Sequence, residues 1–360
     1  MNAFELMRHI GYGGSAGTVS TSFDVTVVTS TSSETFTLPT CFGYTYNANV
    51  DWGDSSSSSI TDSEDTDITH TYATAGTYVI KITGDFPAWS FNNGGDKDKV
   101  IKVYFGSGVD FEYLEDGFYG CTNLTTVAGS IADNGITNFS ACFRDCSSLT
   151  SIPSGLFDHN TAVTDFGSCF SGCSSLTTIP SRLFDHNTAV TYFGSCFNGC
   201  SSLTSIPSGL FDYNTSVISF NACFLDCSSL TSIPSGLFDY NTAVMYFSTC
   251  FCSCSLLTSI PSGLFDNNTA IYFDYCFYGC SSLTSIPSGL FDNNVTYASF
   301  NNCFYGCSSL TSIPSGLFDH KTTAQYFDNC FYGCSSLTSI SSGLFDYNTT
   351  VTNFSYCFYG

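Results

Sequence analysis

Positive charge is what this chain lacks most. Of 360 residues, 8 are Lys or Arg against 30 Asp or Glu, a formal net charge of −22. Beyond Lys102 the only cations are Arg144, Arg182 and Lys321. A nucleic acid duplex is held by clustered cations that displace counterions from phosphates, so nucleic acid is excluded as a partner. Attraction to an anionic lipid surface is excluded for the same reason. Long hydrophobic runs are missing too: no 18 consecutive residues are apolar, and no membrane insertion is expected. The opening MNAFELMRHIGYGGSAG has no apolar stretch of useful length and does not read as a secretory signal. The expectation is a chain that begins inside a longer gene, or a protein that leaves its cell on a virus particle released by lysis. Catalytic fingerprints are equally absent: G-x-S-x-G, H-E-x-x-H, a P-loop and a dinucleotide motif do not occur. His159, His186 and His320 share one turn position that other units fill with Tyr213, Tyr240, Asn267, Asn293 and Tyr347. So interchangeable a position is no catalytic base. The chain is not expected to be an enzyme.

What the chain has instead is repetition. A phrase such as CFNGCSSLTSIPSGLFDYNTSVISF begins at Cys142, Cys169, Cys196, Cys223, Cys250, Cys276, Cys303, Cys330 and Cys357. The step is 27 residues, with one step of 26 between Cys250 and Cys276. A unit this short cannot bury its own apolar residues, so it stacks on its neighbours as a solenoid. Stacking aligns equal positions: Leu149, Leu176, Leu203, Leu230, Leu257, Leu283, Leu310 and Leu337 form one column. A second column runs through Phe166, Phe193, Phe220, Phe247, Phe273, Phe300, Phe327 and Phe354.

Within one unit, Val190, Phe193, Cys196, Phe197 and Cys200 fall at steps of three and four, which predicts a short helical turn with one buried stripe. Gly199 suits its left-handed end. LTSI (203–206) reads as a short extended piece closed by Pro207, and parallel pairing of such pieces would set coils about 4.8 Å apart. The segment PSGLFDYNT then turns, with Asp212 and Asn214 available to nearby amides. The last unit stops at YCFYG without its Leu and Ile rungs, which predicts truncation, a longer parent, or self-association through the C-terminal solenoid face.

The first hundred residues read differently. After a flexible lead (1–18), SFDVTVVTS, ETFTLPT and TYVIKITG are β-like, and the Ser-rich stretch between the last two reads as turns. VDWGDSS followed by HTYATAGTYVIKI resembles PKD-like immunoglobulin-type β-sandwich domains over Asp51–Ile82, with Ser55 where that family usually has Gly. The repeat FxxCFxGCSSLTSIPSGLFDxNT resembles the BspA-like leucine-rich repeats of bacterial and phage surface proteins over residues 118–360, and the junction also resembles theirs. These resemblances imply a mainly β chain with short helical turns: lead 1–18, sandwich 19–105, and a leucine-rich-repeat solenoid over 106–360 with an incomplete C-terminal coil.

Twenty cysteines admit three readings. Eighteen fall in repeat rows: Cys142, Cys146, Cys169, Cys173, Cys196, Cys200, Cys223, Cys227, Cys250, Cys254, Cys276, Cys280, Cys303, Cys307, Cys330, Cys334 and Cys357, with Cys121 ahead of them. C-x-x-x-C without His is poor zinc spacing. Disulfides need an oxidising setting, and Gly117 leaves Cys121 without a partner in its own coil. Free thiols acting as small buried hydrophobes are the favoured reading, a structural ladder. The row Asp158, Asp185, Asp212, Asp239, Asp266, Asp292, Asp319 and Asp346 is a calcium candidate, weighed against Asx-type turn capping, which is favoured. Asp51, Asp54, Asp62, Glu64, Asp65 and Asp67 form a second one. No other cofactor is expected.

SSLTSIPSGLFD hardly changes between units, whereas the segment before each Cys-Phe does. Tyr192, Tyr246, Tyr272, Tyr275, Tyr326 and Tyr356 lie there, and Tyr278, Tyr305, Tyr332 and Tyr359 form a separate row. Such aromatic rows either bind sugar rings or a protein partner, or are drifting solvent-facing positions. The resulting expectation is a recognition or adhesion protein binding a cell-surface glycan or protein, extracellular, on a bacterial surface or a phage tail fibre. The alternative is a structural protein whose solenoid ends stack into a filament.

Overall fold

Strand alternation sets the first region. In the computed structural model, which describes residues 21–293 and 298–360, β1 (Phe23–Thr29) buries Phe23, Val25 and Val27 while Asp24 and Thr26 face outward. The lead at 1–18 lies outside the described residues. Then follow β2 (Glu34–Thr37), β3 (Thr45–Asp51), β4 (Ser57–Asp62), β5 (Thr69–Tyr72), β6 (Gly76–Asp85), β7 (Val100–Phe105) and β8 (Thr126–Gly129). Six of them make one sheet in the order β4-β3-β6-β1-β7-β8, and β2 pairs with β5 in a second. Neighbours are antiparallel except β7 and β8, which are parallel. The stretch expected to be turns contains β4 and β5. Only Ile60 of β4 is fully buried, so this edge strand shows no apolar alternation to read.

β8 belongs by sequence to the first repeat and by hydrogen bonding to the sheet, so the two regions share an edge. A second tie lies between β6 and β7. There the amides of Trp89, Phe91 and Asn92 donate to the carbonyls of Tyr113, Gly117 and Asp116 at 3.2 Å each. Successive coils are joined in the same direction, as in Phe118 N to Cys142 O at 2.6 Å. Residues 88–92 therefore act as a coil placed ahead of the first repeat, and cover the solenoid end that would otherwise expose its columns. The cores merge as well: Phe118 lies 6.0 Å from Phe105 and stacks at 5.3 Å on Phe143, the start of a column.

The coils are not helical. Amides alternate in direction: Cys196, Asn198 and Cys200 donate three residues back within the coil, while Phe193, Ser195, Phe197 and Gly199 donate to Ser219, Asn221, Cys223 and Leu225 of the next. A helix would need every amide inside the coil. Ser195 (φ 57°) and Gly199 (φ 71°) adopt left-handed backbone that turns the chain between these bonds. The expected stripe is buried nonetheless, since Val190, Phe193, Cys196, Phe197 and Cys200 are all 0% exposed. Nor do the LTSI pieces pair as strands. Coil-to-coil bridges join instead the residue before each Phe, from Asn138 and Asp165 through Tyr192 to Asn353, and the one bridge at LTSI among the described residues is Ser259 with Ser285. The Leu and Phe columns run through the interior, except that Leu337 is half-buried and Phe354 is 42% exposed.

A third column was misread as a turn feature. Asn160, Asn187, Asn214, Asn241, Asn268 and Asn348 are buried. Asn214 Nδ2 donates to Phe184 O at 3.1 Å and Asn187 O at 2.9 Å, and the neighbouring asparagines repeat this. Apart from Asn160, which reaches Ala132 O alone, each amide thus satisfies two buried carbonyls of the preceding coil, which would cost about 1–3 kcal/mol if left bare. Lys321 occupies this column with no solvent exposure, and burial draws its amine down to about 8, partly offset by Asp292.

Candidate functional site

Equivalent rings of consecutive coils stack nearly parallel, with centroids 6.0 Å apart at Phe291–Phe318, 5.5 Å at Phe277–Phe304 and 4.6 Å at Tyr278–Tyr305. The tyrosine row is the most closely spaced of the three and lies on the opposite side of the chain from the buried Phe277 and Phe304 that alternate with it.

On that side the residue before each Phe varies: Asp165, Tyr192, Ser219, Tyr246, Tyr272, Ser299, Tyr326 and Asn353 in succession. Tyr246 and Tyr272 stack at 5.1 Å with planes 3° apart. Tyr192 lies over two glycines, because a Cβ at Gly194 would fall 2.2 Å from its ring and one at Gly167 would fall 2.9 Å from it. Burial and the Asp165 carboxylate raise the Tyr192 phenol above its usual range. Tyr326 has no ring neighbour among the described residues. Tyr192 and Tyr326 are each 38% exposed and therefore offer open ring surface.

The other row forms a continuous strip. Tyr278, Tyr305, Tyr332 and Tyr359 stack at 4.6, 4.6 and 5.2 Å. Tyr275 joins at 5.7 Å from Tyr278, and Tyr356 at 5.8 Å from Tyr359. Most of these rings cover one another's faces, so the strip presents edges and hydroxyls. Beside it runs a polar network: Asn301 N donates to Asp274 Oδ1 at 2.9 Å, Asp328 N to Asn301 Oδ1 at 3.0 Å, and Asn353 Nδ2 to Asp328 Oδ2 at 2.8 Å. This network was missed in the sequence, where Asp274, Asn301 and Asp328 are single letters in the most variable segment.

The acidic row does not cap its turns as expected. Apart from Asp185, which follows Arg182, each carboxylate lies over the glycine three residues earlier, as Asp212 does over Gly209, where a Cβ would meet Oδ2 at 3.0 Å. Asp158, Asp212, Asp239, Asp266 and Asp346 make no side-chain hydrogen bond to a described residue, so Asx capping does not occur there. Asp185 pairs with Arg182 at 2.7 Å. Burial, then the carboxylates of neighbouring coils, raise Asp212 and Asp266. Among the described residues no three His, Cys, Asp or Glu gather in a way that could hold a metal ion. In the β region, Asp51, Asp54, Asp62 and Asp65 accept the amides of Gly53, Ser56, Glu64 and Asp67, which makes them turn caps.

All twenty cysteines are free, and all but Cys41 are buried. Burial pushes the thiols up, Cys41 to about 11 and the column members further. The second row also bonds: Cys200 Sγ donates to Phe170 O at 3.3 Å and Cys227 Sγ to Phe197 O at 3.3 Å.

A family model described as BspA type leucine rich repeat region matches the chain in six copies, over residues 114–231 and 247–360. No curated protein matches significantly. Solved structures that resemble it include a chain of the Toll–Spatzle complex, a molecular hub in Drosophila development and innate immunity. That likeness has 19% identity and a TM-score of 0.34, covering 68% of this chain and 35% of the other. Another is a leucine-rich repeat protein from Bacteroides ovatus, with 18% identity and a TM-score of 0.25, covering 79% of this chain and 88% of that one. The chain thus spans about a third of the Toll-complex chain.

Proposed function

The chain belongs to the BspA-type leucine-rich repeat family, and from that premise we propose a non-enzymatic recognition protein that binds a cell-surface glycan or protein through its tyrosine-bearing side. The observation that carries this is the joining of residues scattered over many coils into one exposed surface: a stacked tyrosine strip, two open rings and a polar network. Aromatic anchors ringed by hydrogen-bonding groups are the usual energetic centre of a recognition surface. The acidic character favours partners that are neutral or basic. The place that fits is outside a cell, on a bacterial surface or a phage tail fibre, with the β region as mount.

The test is a binding screen of the full chain against cell-surface glycans and surface proteins, repeated with Tyr246, Tyr272, Tyr278 and Tyr305 replaced by Ser. Loss of at least tenfold in affinity, with the circular dichroism unchanged, is expected. Binding that survives the replacement overturns the assignment.

A further inference from the structure

A different face of each coil stays constant although it meets solvent. The residue after the buried Leu is Thr in all eight complete units, from Thr150 to Thr338, and each is exposed. The next position is Ser in seven of the eight and Thr178 in the other. The residue before the turning position, which is Gly in seven units and Arg182 in the other, is Ser in all eight, as in Ser208 and Ser262. Packing does not require this of exposed positions, and the tyrosine side of the same coils has diverged to Asp, Tyr, Ser and Asn. A ladder accounts for one row only: Thr231 Oγ1 donates to Thr204 O at 3.4 Å and Thr258 Oγ1 to Thr231 O at 3.4 Å. The Ser205 and Ser208 rows make no side-chain hydrogen bond among the described residues.

The result is an uncharged wall of hydroxyls and methyls, one set per coil. Along its edge run clefts between coils lined by Ser262, Gly263, Asp266, Ser288, Gly289 and Asp292. We propose that this wall binds a linear, uncharged polysaccharide laid parallel to the solenoid axis, its sugars in register with successive coils. Each feature fits that ligand. Serine and threonine hydroxyls both donate and accept, as sugar hydroxyls do, and the edge carboxylates accept from them. An anionic polymer meets a row of like charges and a single cation, Arg182, that is already paired with Asp185. Eight coils at about 5 Å give a track of roughly 35 Å, along which individually weak contacts sum because they are linked. This surface is separate from the tyrosine side and does not depend on it.

The experiment is co-sedimentation of the full chain with insoluble cellulose, chitin, β-1,3-glucan and mannan, at low and high salt. One variant carries Ser205→Lys and Ser232→Lys, which lose no side-chain bond. A second carries Thr204→Lys and Thr231→Lys, and a third the four Tyr→Ser changes. Binding to at least one polymer is expected, insensitive to salt, weakened at least tenfold by either lysine pair and unchanged by the tyrosine set. The proposal is overturned if none of the four polymers binds, if the folded Ser205→Lys/Ser232→Lys variant binds like the parent, or if only the tyrosine set abolishes binding.

Discussion

The β region and the solenoid are held together by opposite means. In the first, each polar tie is made once. Tyr46 Oη accepts from Cys41 N at 2.7 Å and donates to Ala88 O at 3.1 Å, and Lys99 bridges Asp96 at 2.7 Å and Glu34 at 3.4 Å. His70 stacks on Trp52 at 4.9 Å and reaches Asp54 at 2.8 Å. In the second, the Asn-to-carbonyl and thiol-to-carbonyl bonds recur from coil to coil. A fault in the β region removes something unique, whereas a fault in the array is flanked by intact copies. Repeats of this kind behave as a row of nearest-neighbour interfaces.

The sharpest way to break that contrast is at the junction. Phe118 packs on Phe23, Trp89 and Phe105 of the β region and stacks on Phe143 of the array. Phe118→Ala should cost about 3–5 kcal/mol, and calorimetry should then resolve two transitions in place of a coupled one. An unchanged single transition would mean the two regions are not coupled through this stack.

Lys321 tests whether the array tolerates one odd rung. Its folded pKa is lowered, so the penalty is fully present below about 8, where both states are protonated. As pH rises toward 10.5 the unfolded chain binds more protons, and stability increases. Lys321→Asn should stabilise on the order of 2 kcal/mol at pH 7 and remove that rise. The difference between the two proteins' urea midpoints from pH 7 to 10.5 measures it, shared tyrosine and thiol titrations cancelling.

The smallest effect belongs to the β region. Ser55 holds φ 76°, a left-handed conformation, at the position where the resembled turn has Gly. Ser55→Gly should raise stability by about 1 kcal/mol, read from the thermal midpoint of the first region. A fall in that midpoint would show that the serine makes up for its strain.

Much of the interior was legible because apolar spacing reports which side chains face inward, whatever path the backbone takes. Phe193, Cys196 and Cys200 were placed inside on steps of three and four, although the helix those steps suggested does not form. Tyr278, Tyr305 and Tyr332 were recognised as a row, but their mutual stacking was not. The asparagine column escaped notice because Asn in an FDxN turn has the same letters whether it caps locally or reaches back a whole coil. The strand β4 was hidden for lack of apolar residues, and an Asp in an FDxN turn has the same letter whether it caps the turn or lies over the glycine beside it.

By itself, then, the sequence determined the period, the inward columns and the acidic, cation-poor exterior, since each follows from residue type and spacing along the chain. Tertiary structure alone decided where the amides go, which asparagines are buried, how residues 88–92 stand in for a coil, and which rings stack on one another. Those depend on groups about 27 residues away in sequence and within about 5 Å in space, and a side chain's letter does not say which neighbour will meet it.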